Sequence, residues 1–134
     1  MARYVIDAPT LLHLLDNDRS VDPNHQLVAP HTIRSEVLQL LLRDVRRGGR
    51  TERAALRTHE RVTEVRMRLL GDRVSRGMAW RIAREQDWDT LRDAEYLALV
   101  RLQADALVTV DPDLATRAEN VVPVAPVRAL LAGG

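Results

Sequence analysis

One stretch constrains this chain more than any other: Leu91 to Asp111, LRDAEYLALVRLQADALVTVD. From Asp93 onward Leu97 and Val100 recur at helical spacing, while Ala94, Tyr96, Ala98 and Leu99 fill the other sides. A helix apolar nearly all round has to be covered on more than one face. Ala106 to Val110 follows as an apolar run too short for a helix and bounded by Asp111-Pro112, the pattern of a buried strand. The N-terminus uses the same grammar, with Tyr4-Val5-Ile6 closed by Asp7. Two apolar strands that each deliver an aspartate at the C-terminal end suit an open α/β sheet, where ligands sit outside those ends.

Taken in order, residues 2–7 read as the first strand, and Pro9 opens a helix carrying Leu11, Leu12, Leu14 and Leu15. Asp16 to Gln26 is polar and reads as a loop, and Leu27-Val28-Ala29 as a very short strand. Pro30-His31-Thr32 then starts a helix to about Arg47, with Ile33, Val37, Leu40 and Leu41 on one stripe. Glu36 lies on that stripe, an unusual place for a carboxylate. Gly48-Gly49 breaks the chain, and Thr51 to Leu70 reads as one arginine-studded helix with Ala55, Leu56, His59, Val62, Val65 and Leu69 inward. Ser75 to Gln86 is a short helix carrying Trp80 and Ile82, and Thr90 is the expected cap of the helix that holds Asp93. Pro112 to Ala118 gives one or two helical turns, Val121 to Val124 a last strand, and Pro126 to Leu131 a terminal turn before Gly133-Gly134, expected to fray. Strands alternating with helical patterns predict an α/β fold with a central, mainly parallel sheet. With no repeat or linker, 134 residues form one expected domain, 1–134.

Composition narrows the chemistry. The absence of cysteine excludes disulfides and thiolate metal sites and fits a reducing, cytoplasmic setting. No apolar run approaches membrane-spanning length. All 20 basic residues are arginine, and they are unevenly spread. Thirteen fall in Arg43 to Arg84 against five acids, a local charge of +8, whereas Glu85 to Glu119 carries −6. An arginine-rich segment beside an acid-rich one suits a polyanion held over a metal-binding cluster. The commoner use of such arginines is to cover solvated helix faces.

Each acid also has an ordinary explanation. Asp7 and Asp111 precede proline-marked helix starts, where aspartate caps free N–H groups. Thr90-Leu91-Arg92-Asp93 has the spacing of a capping box, and Glu36 could reach out of its stripe to solvent. Capping explains neither why two acids end apolar strands nor why Glu36 sits on an apolar stripe. Several carboxylates in one crevice repel one another unless a cation neutralises them. A set of oxygens alone favours Mg²⁺ or Mn²⁺ over zinc, and the matching chemistry is hydrolysis of a phosphodiester. Asp113 stands two residues beyond Asp111 as an outer candidate. The four histidines lack metal-ligand spacing, no phosphate loop or Gly-x-Ser-x-Gly elbow occurs, and Trp80, Trp88, Tyr4 and Tyr96 read as core.

These residues together resemble a family. Strand-Asp7, Glu36 in a long helix, Asp93 in Asp-Ala-Glu-Tyr-Leu-Ala-Leu, and Thr109-Val110-Asp111 look like the PIN-domain ribonucleases, the VapC-type toxins of bacterial toxin–antitoxin pairs most of all. The resemblance covers nearly the whole chain, including the closing Val122-Pro123-Val124. It implies a three-layer α/β/α sandwich and a Mg²⁺- or Mn²⁺-dependent endoribonuclease. By position, Asp7, Glu36, Asp93 and Asp111 become the metal-holding acids, and Thr109 the hydroxyl that supports them. It further implies an RNA substrate, a homodimer and a cognate antitoxin, with the helices from Ile33 to Leu70 meeting partner and substrate. The chain departs from the pattern at Pro9, where the family usually has a small polar residue; Thr10 is the neighbouring hydroxyl. The rival expectation is a PIN-like module that binds RNA or a protein through its arginines without cutting, its acids serving only as caps.

Overall fold

Strand β1 (Arg3–Ile6) occupies the centre of a five-stranded parallel sheet in the computed structural model, which describes residues 1–132. On one side of it lie β2 (Gln26–Pro30) and then β3 (Arg68–Leu70); on the other lie β4 (Ala106–Val108) and then β5 (Val124–Ala125). The chain thus builds the sheet outward from β1 in one direction, returns, and builds it in the other. The reversal falls between β1 and β4, which pair as Tyr4↔Ala106, Val5↔Leu107 and Ile6↔Val108. Extending that register by one residue puts Asp7 beside Thr109.

Successive residues of a strand face opposite sides of the sheet, and this alternation builds two cores. Val5, Val28 and Leu107 pack with α4 (Arg73–Gln86), α5 (Arg92–Gln103) and α6 (Pro112–Ala118). Ile6, Leu27, Ala29 and Val108 pack with α1 (Ala8–Asp16), α2 (Ile33–Arg46) and α3 (Glu52–Glu64). The result is the expected three-layer α/β/α sandwich. Helix α5 touches α4 as well as β1, β2 and β4, which is why it is buried from Tyr96 through Val100. None of the described helices is long and apolar enough to cross a membrane.

The structure corrects several expectations. The helix expected from Thr51 to Leu70 ends at Glu64, and its last residues form edge strand β3 instead. Its buried side is Ala55, Thr58 and Val62, while Leu56 is exposed. The strand read as Ala106 to Val110 ends at Val108, and the last strand is Val124–Ala125 rather than Val121 to Val124. Thr90 does not cap α5: the cap position is Leu91, without a side-chain hydrogen bond. Trp80 is 61 % exposed rather than core. The terminal turn is a 3₁₀ helix, Val127–Leu130, and the fraying expected at Gly133-Gly134 lies outside the described residues.

Because α5 is held from both sides, its central leucine has little room to collapse onto a void. Leu97 is completely buried. Leu97→Ala is expected to cost about 3–5 kcal/mol in chemical denaturation. A loss under about 1 kcal/mol would mean that α5 is not packed on both faces.

Candidate functional site

The chain brings Asp7, Glu36, Asp93 and Asp111 to one cleft of about 110 Å³, at the C-terminal edge of the sheet where its winding reverses. Three of the four arrive for a topological reason. Helices that follow parallel strands begin at that edge, so Asp7 caps α1, Glu36 lies in the first turn of α2 and Asp111 caps α6. Asp93 lies in the first turn of α5. Helix N-termini carry partial positive charge, which offsets some of the repulsion among these acids. The same cleft is lined by Pro9, Gln39, Arg43, Arg92 and Tyr96. A larger hollow of about 1000 Å³ lies by the opposite ends of the strands, near Met1, Gln26 and Arg68, and collects none of the four acids.

Asp7 is only 4 % exposed, and its carboxylate is knitted into both central strand ends. Its Oδ1 accepts the Thr10 hydroxyl and, at 3.3 Å, the Thr10 N–H. Its Oδ2 accepts the Thr109 hydroxyl at 2.7 Å. Each hydroxyl is itself fixed, because Thr10 Oγ1 accepts the Val110 N–H and Thr109 Oγ1 accepts the Asp111 N–H, both at 3.0 Å. Thr10 thus supplies the hydroxyl that Pro9 lacks. Burial nevertheless raises the Asp7 pKa, with the hydrogen bonds from Thr10 and Thr109 opposing it.

Glu36 reaches the cleft from the α2 stripe instead of snorkelling away, and its Oε2 accepts the Tyr96 hydroxyl. Burial raises its pKa, with Tyr96 and Arg92 pulling the other way and Glu95 and Asp7 adding repulsion. The Tyr96 phenol is pushed upward by burial and by Glu36, so it remains a donor at physiological pH. Asp93 has no capping role: its Oδ2 accepts from Arg117 Nη2. Asp111 caps α6 through Oδ1, which accepts the Asp113 N–H at 3.0 Å. Asp113 is exposed and is not among the residues lining the cleft.

Sequence reading missed Tyr96, Arg92 and Arg117. Tyr96 looked like core because it is core, and only its hydroxyl reaches Glu36. Arg92 stands beside Asp93 in sequence and was readable as a neighbour of the site; Arg117 comes from the next helix and left no local signal.

In donor type the cleft fits a hard divalent cation: four carboxylates and no sulfur or imidazole line it. The hydrogen bonds take Oε2 of Glu36, Oδ2 of Asp93 and Oδ1 of Asp111, leaving the other oxygen of each without a protein partner among the described residues. In the present arrangement no three Asp, Glu or His side chains of the described residues converge closely enough to enclose an ion.

The architecture and the reversal point define a PIN-like α/β/α sandwich. PAE2754 from Pyrobaculum aerophilum has the same fold, with a TM-score of 0.71 and 24 % identity over 96 % of this chain and 92 % of that one. VapBC-1 from nontypeable Haemophilus influenzae contains a chain matching at a TM-score of 0.61 and 16 % identity, over 93 % of this chain and 98 % of that one. At such identities the likeness is one of fold. Neither a protein-family model nor a curated protein matches the sequence.

The raised Asp7 pKa gives a signed expectation. In the window between the ordinary carboxylate pKa and the raised one, the folded protein binds more protons than the unfolded chain, so stability grows as pH falls through it. At neutral pH the ionised Asp7 is therefore a burden on the fold. Asp7→Asn, which keeps a good cap, is expected to melt higher than the parent in metal-free buffer at pH 7, with the gap closing on acidification. A lower melting point for the variant at pH 7 would show that the hydroxyl bonds outweigh the burial.

Proposed function

We propose that this protein is a metal-dependent endoribonuclease of the VapC-like PIN type, hydrolysing RNA phosphodiester bonds. The observation that carries this reading is the convergence of Asp7, Glu36, Asp93 and Asp111 on one cleft at the reversal between β1 and β4. These four side chains would hold Mg²⁺ or Mn²⁺. When bound, such an ion supplies a Lewis acid and counter-charge for in-line displacement at phosphorus.

The protein's own groups do the rest. Thr10 and Thr109 fix the Asp7 carboxylate, and Tyr96 fixes Glu36 by one oxygen. Glu36, with its pKa raised by burial, is suited to take a proton from the attacking water. Arg43 and Arg92 line the cleft beside the acids and would hold the flanking phosphates, contacts that give affinity without sequence preference. Exposed Leu38 and Leu42 of α2 and Leu56 of α3 offer apolar surface on the segment assigned to partners, in keeping with a homodimer and a cognate antitoxin.

A second reading is a silent module that binds RNA or protein without cutting. It is favoured by the engagement of Asp93 with a guanidinium and by the absence, among the described residues, of three converged ligands.

The discriminating experiment is incubation of purified protein with total cellular RNA in Mn²⁺, in chelator, and as the Asp93→Asn variant. The enzyme reading expects discrete fragments in Mn²⁺, none in chelator, and a rate lower by about 10²-fold or more in the variant, the scale of losing several kcal/mol of charge stabilisation. RNA bound but left whole in Mn²⁺ would establish the silent module instead.

A further inference from the structure

Three of the four acids are held by neutral donors. Asp7 accepts threonine hydroxyls, Glu36 a phenol and Asp111 a backbone N–H. Asp93 alone is engaged by a full positive charge, Arg117 on α6. The ion pair is asymmetric in burial: the Asp93 side chain is 15 % exposed and that of Arg117 44 %. The guanidinium has a second resting place, since its carbon lies 5.5 Å from the centroid of the Trp88 ring, a cation–π contact. Trp88 is itself anchored. It packs against the α4–α5–α6 core, and its backbone N–H donates to the Ala83 carbonyl at 2.8 Å where Asp87 closes α4 in the left-handed conformation.

We propose that Arg117 is a built-in counter-ion of Asp93 that a divalent cation must displace, so that this arginine, through Asp93, sets the affinity of the cleft for metal. This rests on the reading of the four acids as a metal site. A guanidinium and a metal ion compete for the same carboxylate, because each neutralises the charge that the other would use. With Asp93 released, Arg117 keeps its seat on Trp88, so exchange costs one ion pair and not the order of the whole side chain. Its like charge remains nearby and further weakens cation binding. The arrangement gives α6 a direct influence on the acid of α5, two elements joined in sequence through β4.

The test is calorimetric titration of the metal-free protein with Mn²⁺, without RNA. Arg117→Gln is expected to bind Mn²⁺ about five- to tenfold more tightly, the scale of one partly exposed ion pair removed together with one like charge. Arg117→Lys keeps the charge but loses the guanidinium plane that rests on Trp88, and is expected to bind Mn²⁺ with an affinity between those of the parent and Arg117→Gln. Arg101→Gln removes the same charge at the other end of α5, where Arg101 pairs with Glu85, and is expected to change nothing. Asp93→Asn is expected to abolish binding. If the parent binds Mn²⁺ and Arg117→Gln binds it equally or more weakly, the counter-ion role is wrong and the metal site stands. If neither binds, both fail together. Binding by Arg117→Gln alone would support the competition directly.

Discussion

The structure depends on a single buried carboxylate being satisfied at the place where the sheet changes direction. An ionised group as enclosed as Asp7 is costly unless strong donors face it. Here the donors are the hydroxyls of Thr10 and Thr109, one from the first turn of α1 and one from the end of β4. Because each hydroxyl also accepts a backbone N–H from the segment after β4, the polar groups left free where that strand stops are satisfied in the same network. The residues that hold the acid also terminate the strand. Asp111 enters the cleft from a backbone fixed in this way.

That economy explains what could be read from the amino-acid sequence. Strand β1 with Asp7 and strand β4 with Thr109 and Asp111 were legible because strand ends in a parallel sheet are abrupt: buried β-branched and aliphatic residues give way within four positions to a cap and a proline. The burial of α5 on two sides followed from its lack of a polar face. Edge strand β3 was not legible, since Arg68-Leu69-Leu70 continues the period of the preceding helix and only pairing with Val28, Ala29 and Pro30 makes it a strand. Val110 misled in the other direction. It extends the apolar run, yet it lies beyond the last paired residue and is 36 % exposed.

The candidate site divides along the same line. The four carboxylates were legible only as a set: each singly reads as a cap or a solvent-reaching acid, but two of them end apolar strands and a third lies on an apolar stripe. Their partners were not, because Tyr96 to Glu36 and Arg117 to Asp93 span 60 and 24 residues, and nothing local marks either. The arginine excess between Arg43 and Arg84 also proved less uniform than its charge suggests. Arg50 is tied to Asp16 and Asp44, and Arg61 to Asp18, so these cations bind the α1–α2–α3 layer together. Arg43 reaches the cleft, joined there by Arg92 from outside the segment.

The four acids are therefore not equivalent, although they share an edge and a charge. Asp7 and Asp111 do structural work that any cap residue could do in part, and the fold has reason to keep them even without chemistry. Glu36 and Asp93 have no such role: neither caps its helix, and Glu36 sits against the like charges of Glu95 and Asp7. The fold spends a buried phenol on one and a guanidinium on the other. Carboxylates that cap nothing, yet are held in position by dedicated partners, are the part of this structure that helix capping does not account for. That surplus, more than the two capping aspartates, is what argues for a ligand of positive charge.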